Sequence, residues 1–214
     1  MLSRDAGPAG HTGRELMAAW DSALDACGLP IHRPVGKGRS RIALGAPVPA
    51  EIALEHELAD VVLTEFCPAW VVRDALTEAV PAGWHLIDIE DVWLGAPALA
   101  GQVAAADYRI ELDDAAADVI ARAAAHVLAS ANLPRERMKG GTPVRYDLRP
   151  LLVDVALADA GPPVVLRTRT RFDPVLGTGR PEEVVAAVAE AADLDVAIGA
   201  VVRERLILAD DLGG

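Results

Sequence analysis

From Ala104 onward, apolar residues recur first at every second position and then at helical spacing, and these two periods succeed each other in an order few folds accept. Ala104 to Leu112 alternates, with Tyr108, Ile110 and Leu112 on one side, which predicts a strand. Asp113 or Asp114 is placed to cap a helix running to about Ser130. Asn132 to Pro143 reads as a loop, and Val144 to Leu157 as a strand interrupted at Pro150, which has no N–H to give a ladder. Val164 to Phe172 is a strand, Pro181 opens a helix ending near Ala192, and Ile198 to Leu208 is a last strand. The order β-α-β-β-α-β is the ferredoxin-like split pattern, in which both helices cover one sheet face.

The first half repeats that order without its opening strand. Thr12 starts a capping box with Glu15, and Leu16, Trp20, Leu24 and Cys27 follow at helical spacing until Gly28. Arg41 to Leu44 and Leu58 to Phe66 read as strands, Ala69 to Val80 as a helix, and Trp84 to Val92 as an alternating strand. The first eleven residues, rich in Gly, Pro and Ala, are expected to lack order. The expectation is an α+β protein of two tandem ferredoxin-like subdomains. Residues 1–11 form a tail, 12–102 a unit lacking its N-terminal strand, and 103–214 a complete one.

Within the second half, Arg167, Arg169 and Arg171 alternate with Leu166, Thr168, Thr170 and Phe172. Period two puts the three guanidiniums on one face and the apolar set toward the helices. Arg203 and Arg205 share a face of the last strand, and Arg145 and Arg149 lie on the strand before the arginine strand. Such a face is suited to a carboxylate, a phosphate or an acidic partner. The alternative is a solvated face paired with the fold's own Asp and Glu. Lys139, one of only two lysines, precedes two glycines, and Asp147 is placed to orient Arg149, so Lys139, Arg145, Asp147 and Arg149 form a second candidate anion clasp.

Charge narrows the classes of function. The formal net charge is -12, which opposes wholesale nucleic-acid binding but leaves a local basic face available. Gly177-Thr178-Gly179-Arg180 before a helix is read as a helix start, since Glu182 and Glu183 already complement the dipole. Cys27 and Cys67 and the five histidines have no metal-ligand spacing, and the carboxylates about His56 read as a solvated loop. No apolar run approaches the roughly 18 residues of a membrane span. The expectation is a soluble, cytoplasmic protein that binds no cofactor or metal itself, with no assignable catalytic residue.

Several stretches in register resemble one family. They are Leu16 to Pro30, Arg41 to Pro49, Ala106 to Leu112, Lys139 to Leu151, Thr178 to Val184 and Val201 to Leu208. This collinear set, covering about residues 12–208, resembles the radical-SAM-linked domain of unknown function. That domain is fused to, or encoded beside, cobalamin-binding radical-SAM proteins. The resemblance implies an accessory protein with a radical-SAM partner, which itself uses S-adenosylmethionine, an iron–sulfur cluster and cobalamin. The match departs near the start: Gly13 stands where the family has histidine and Glu15 where it has aspartate, and Val35 to Arg41 lacks the family's asparagine and histidine. The candidate residues therefore concentrate in the second half. Two other readings stand beside this one: an RNA-binding module, and an enzyme acting on a phosphorylated small molecule through Lys139, Arg145 and Arg149.

Overall fold

The computed structural model describes residues 1–7, 13–33, 35, 41–49, 51–113, 115–139 and 141–212, with Lys139 described by its backbone alone. The chain divides into two compact units, Met1–Val103 and Ala104–Gly214.

The first unit contains β1 (Leu2–Arg4), α1 (Gly13–Ala26), β2 (Ile42–Leu44), β3 (Ala53–Glu57), β4 (Ala59–Val61), α2 (Ala69–Ala79), β5 (Trp84–Leu86) and α3 (Leu99–Gln102). β1 lies between β3 and β5, antiparallel to both, with Leu2 opposite Leu86 and Arg4 opposite Trp84. β2 and β4 form a separate two-stranded ladder. Leu2, Trp20, Leu24, Ile31, Ile42, Leu54 and Trp84 close the core. Trp20 and Trp84 meet edge to face with centroids 5.2 Å apart, the arrangement that their ring quadrupoles favour. Arg4 crosses above the Trp84 ring and donates to the carbonyls of Pro49 and Ile52, both at 2.6 Å.

Three expectations for this unit are corrected. The opening residues are not a structureless tail, because Leu2–Arg4 is a strand and the unit has the first strand it was expected to lack. Three residues carry no legible period; β3 and β5 supply the pairing that makes them a strand. The alternation after Trp84 ends at Leu86, because the amides of Ile87 and Asp88 turn to the Met1 carbonyl and the Asp88 carboxylate takes its neighbour's N–H at 2.8 Å. The segment around His56, read as loop, is strand β3, with Glu57 buried. The cap assigned to Thr12 lies outside the described residues.

The second unit runs β6 (Val103–Asp113), α4 (Ala117–Ala129), β7 (Pro134–Lys139), β8 (Thr142–Asp147), β9 (Leu152–Asp159), β10 (Val164–Asp173), β11 (Gly177–Thr178), α5 (Pro181–Ala192) and β12 (Ala197–Leu208). In its sheet the strands are ordered β9, β10, β6, β12, and β11 pairs with the end of β10 beyond β9. α4 and α5 pack against each other and, respectively, on β9 and β10. Leu166 lies opposite Ile110 and Val164 opposite Leu112, all buried beneath Ile120, Val127, Val184 and Val188. Each such side chain contributes about 1.5–3 kcal/mol on burial.

Thr168 and Thr170 share this buried face, where a bare hydroxyl would be costly. Both are satisfied by main chain: Thr168 donates to the Asp154 carbonyl at 2.8 Å and Thr170 to the Gly179 carbonyl at 2.9 Å. Gly179 is required by space, since a Cβ there would stand 2.9 Å from both the Leu151 carbonyl oxygen and the Thr170 Cβ.

Two further readings are corrected here. Pro134–Lys139 is not a loop but one arm of a hairpin with Thr142–Asp147. Asp113 does not cap α4: it ends β6, and the helix begins after Ala116 with no side-chain cap. Asp114 lies outside the described residues. No helix among the described residues is long and apolar enough to cross a membrane.

Candidate functional site

The residues singled out from sequence fall into separate places. Arg167, Arg169 and Arg171 do share the face of β10 turned away from α4 and α5, because the strand's buried positions alternate with them. The strands beside β10 interleave this row with carboxylates. Arg169 lies opposite Asp107 on β6 and Asp154 on β9, while Arg167 lies opposite Arg109 and Ala156.

Asp107 is the hub. Its carboxylate accepts from Arg169 Nε at 2.7 Å and Nη2 at 3.0 Å, and from Arg205 Nε of β12 at 2.8 Å. Burial pushes the Asp107 carboxyl up, but the hydrogen bonds from Arg169 and Arg205 outweigh it and hold the group below its ordinary value. The same bond raises Arg169 further above the physiological range. Glu204 plays a similar part, accepting from Arg167 at 2.9 Å with the Arg109 guanidinium 3.6 Å away. Arg167, Arg169 and Arg205 are therefore held by the fold's own acids.

Fixing them does not exhaust them. A guanidinium carries five N–H donors in a rigid fork, and one carboxylate uses at most two. The Arg167 and Arg205 side chains remain 61% and 59% exposed. Arg171, opposite Ala105, is exposed, and among the described residues no carboxylate bridges it. The face is a preorganised row of donors with outward N–H groups, able to receive carboxylate or phosphate oxygens.

The other sequence candidates lie elsewhere. Arg203 is only 2% exposed, so it does not join Arg205 on the open face. Simple alternation fails on β12, where Leu206 and Ile207 are both buried. Arg145 projects from the β7–β8 hairpin, 89% exposed, and pairs with Glu136 at 3.1 Å across the ladder. Asp147 does not orient the Arg149 guanidinium. Its Oδ1 accepts the backbone amides of Leu133 at 2.7 Å and Arg149 at 2.9 Å. Arg149 itself donates to the carbonyls of Ser130 at 3.0 Å and Leu152 at 2.8 Å. Asp147 and Arg149 thus pin the base of the hairpin by main-chain contacts. Lys139 pairs by its backbone with Thr142, and its side chain lies outside the described residues.

Sequence reasoning missed Asp107, Glu204 and Arg109. Alternation opposite Tyr108 and Ile110 put Asp107 and Arg109 on the outer face of β6, but only the strand order brings β6 beside the arginine strand.

By its elements the chain is a mixed α+β protein with a largely sheet-built core. A solved structure shares that fold: a crystal structure of a Cbf5-Nop10-Gar1 complex matches with a TM-score of 0.51 and 9% identity, over 96% of this chain and 48% of that one. The chain thus spans about half the length of that neighbour, and at this identity the likeness is one of fold alone. The chain belongs to the family DUF2344, described as an uncharacterized protein conserved in bacteria, whose sequence pattern matches residues 11–184. Comparison with curated proteins gave no match.

Proposed function

We propose that this chain is an accessory binding protein for a radical-SAM enzyme, and that the outer sheet face of the second unit is its docking surface. The resemblance of six collinear stretches to the radical-SAM-linked domain supports the partner. One observation supports the surface: Asp107 holds Arg169 and Arg205 from the strands on either side of β6, while Arg167 and Arg171 stay exposed. Side chains already held in the free protein, as Arg167, Arg169 and Arg205 are, lose little freedom on binding, so the row favours a carboxylate-rich partner patch or an anionic substrate. The partner, not this chain, would carry S-adenosylmethionine, the iron–sulfur cluster and cobalamin.

In this reading both units are ferredoxin-like. The β-α-β-β-α-β core of the second unit, with strand order β9, β10, β6, β12, supports it. In the first unit β3 and β5 flank β1 as the third and fourth strands of that pattern flank the first.

The test is the affinity of the full chain for a radical-SAM protein encoded beside it, measured by calorimetry. A double charge reversal, Arg167→Glu with Arg171→Glu, is expected to weaken binding at least about tenfold, or about 1.4 kcal/mol, and to reduce its salt dependence. Equal affinity for both chains, or no complex at all, overturns the proposal. Salt-dependent binding of transfer RNA that disappears in the same variant replaces it with the RNA reading.

A further inference from the structure

The first unit exposes large apolar side chains that take no part in the arginine face. Phe66, Trp70, Trp93 and Leu94 are 85%, 68%, 80% and 85% exposed. Single exposed apolar side chains are ordinary, but two tryptophans and a phenylalanine left in water within thirty residues of sequence are not. Their placement follows from the fold. Leu76 and Val80 turn toward the unit's core, which directs Trp70, in the first turn of α2, elsewhere. Arg73, one turn on from Trp70 on the same helix face, donates to the Ile87 carbonyl and pairs with the Asp88 carboxylate. That clamp ties α2 to Ile87 and Asp88, four residues before Val92.

The Trp93 ring folds back over its own turn. The Ala96 amide closes a turn onto the Trp93 carbonyl at 2.9 Å. The indole lies so close over Gly95 that a Cβ there would overlap it. Exposed tryptophans are the kind of anchor that dominates interface energetics.

Charge selects the occupant. Between Glu65 and Leu94 the chain has six carboxylates and one cation, Arg73, which Asp88 already occupies. Glu65 adjoins Phe66, Asp74 follows Arg73, and Glu90 and Asp91 precede Val92. We infer that these exposed side chains act together to dock a partner protein through an amphipathic segment whose aliphatic side chains cover Trp70 and Trp93 and whose Lys or Arg residues meet these carboxylates. Such a segment presents one apolar stripe with cations at its margins. The inference does not depend on the arginine face, which lies in the other unit and has the opposite charge.

The experiment uses the full chain and a synthetic leucine–lysine amphipathic peptide of about eighteen residues, five helical turns. A leucine–glutamate peptide of the same pattern is the control. Titration is followed by tryptophan emission and by acrylamide quenching, which reports the exposed Trp70 and Trp93 over the buried Trp20 and Trp84. The lysine peptide is expected to shift the emission to the blue and protect it, and the glutamate peptide to do neither. Trp70→Ser and Trp93→Ser should each weaken binding roughly tenfold. Gly95→Ala, which keeps every charge and displaces the Trp93 ring, should weaken it several-fold. The near-ultraviolet dichroism of the Trp20–Trp84 pair shows that each variant retains the first unit's core. Equal binding by wild type and variants reduces the attraction to net charge and overturns the inference. Equal binding of both peptides, or a blue shift on neutral phosphatidylcholine vesicles, also overturns it, the latter in favour of a membrane surface.

Discussion

Replacing Asp107 with asparagine removes one negative charge at nearly constant size and leaves Arg169 and Arg205 facing an amide. The Asp107 side chain is 17% exposed, with Arg169 at 30% and Arg205 at 59%. The bidentate bond to Arg169 is mostly shielded from water and falls at the low end of the 1.5–3 kcal/mol typical of hydrogen bonds to charged groups. The bond to the exposed Arg205 belongs with surface pairs, worth about 0.2–1 kcal/mol. Together they predict a loss of about 2 kcal/mol at pH 7, read as a lower urea midpoint with an unchanged slope. The folded Asp107 pKa lies below its ordinary value of 3.8, so the contribution is complete above that value. It disappears as pH falls through the folded pKa. The gap between wild type and Asp107→Asn should therefore be flat from neutral pH down to about pH 5 and close in stronger acid. Removing Arg169 in the same chain should cost less than the two single losses added, because the partners are coupled. Equal midpoints at pH 7, or a gap that persists undiminished in acid, would refute the assignment of Asp107 as the electrostatic hub of this face.

Other consequences are local. Gly179→Ala sets a methyl group 2.9 Å from the Leu151 carbonyl oxygen and the Thr170 Cβ, neither of which can swing aside, and should lower stability by about 1–3 kcal/mol in urea unfolding. Asp147→Ala removes the acceptor for the Leu133 and Arg149 amides and should cost about 1–2 kcal/mol. Hydrogen exchange should quicken at those two amides and along Pro134–Asp147, while the amides of β6 stay protected.

The parts legible in the sequence were those whose signal is local. Val164 to Phe172 announces a strand because charged and apolar residues alternate without a break, and the same alternation sorts Arg167, Arg169 and Arg171 from Leu166 and Thr170. Pro181 and the residues after it announce α5 because proline at the first helical position and acidic residues in the first turn satisfy a helix start. β1 and the β7–β8 hairpin were illegible for the converse reason. Leu2–Arg4 is too short to show a period, and Pro134–Lys139 has no buried apolar face, so only its hydrogen bonds to Thr142–Asp147 make it a strand. Arg203 illustrates a third limit. Its period matches Arg205, yet the fold buries one and exposes the other.

The sequence by itself determined the alternation along β10, where α5 begins, and that guanidiniums gather on one side of β10. These follow from backbone periods that each segment imposes on itself. Only the tertiary structure decided what the guanidiniums meet. Asp107 lies sixty-two positions from Arg169 and ninety-eight from Arg205 along the chain. No local rule relates them; the order β10, β6, β12 across the sheet does, because strands pair at about 5 Å whatever their separation in sequence.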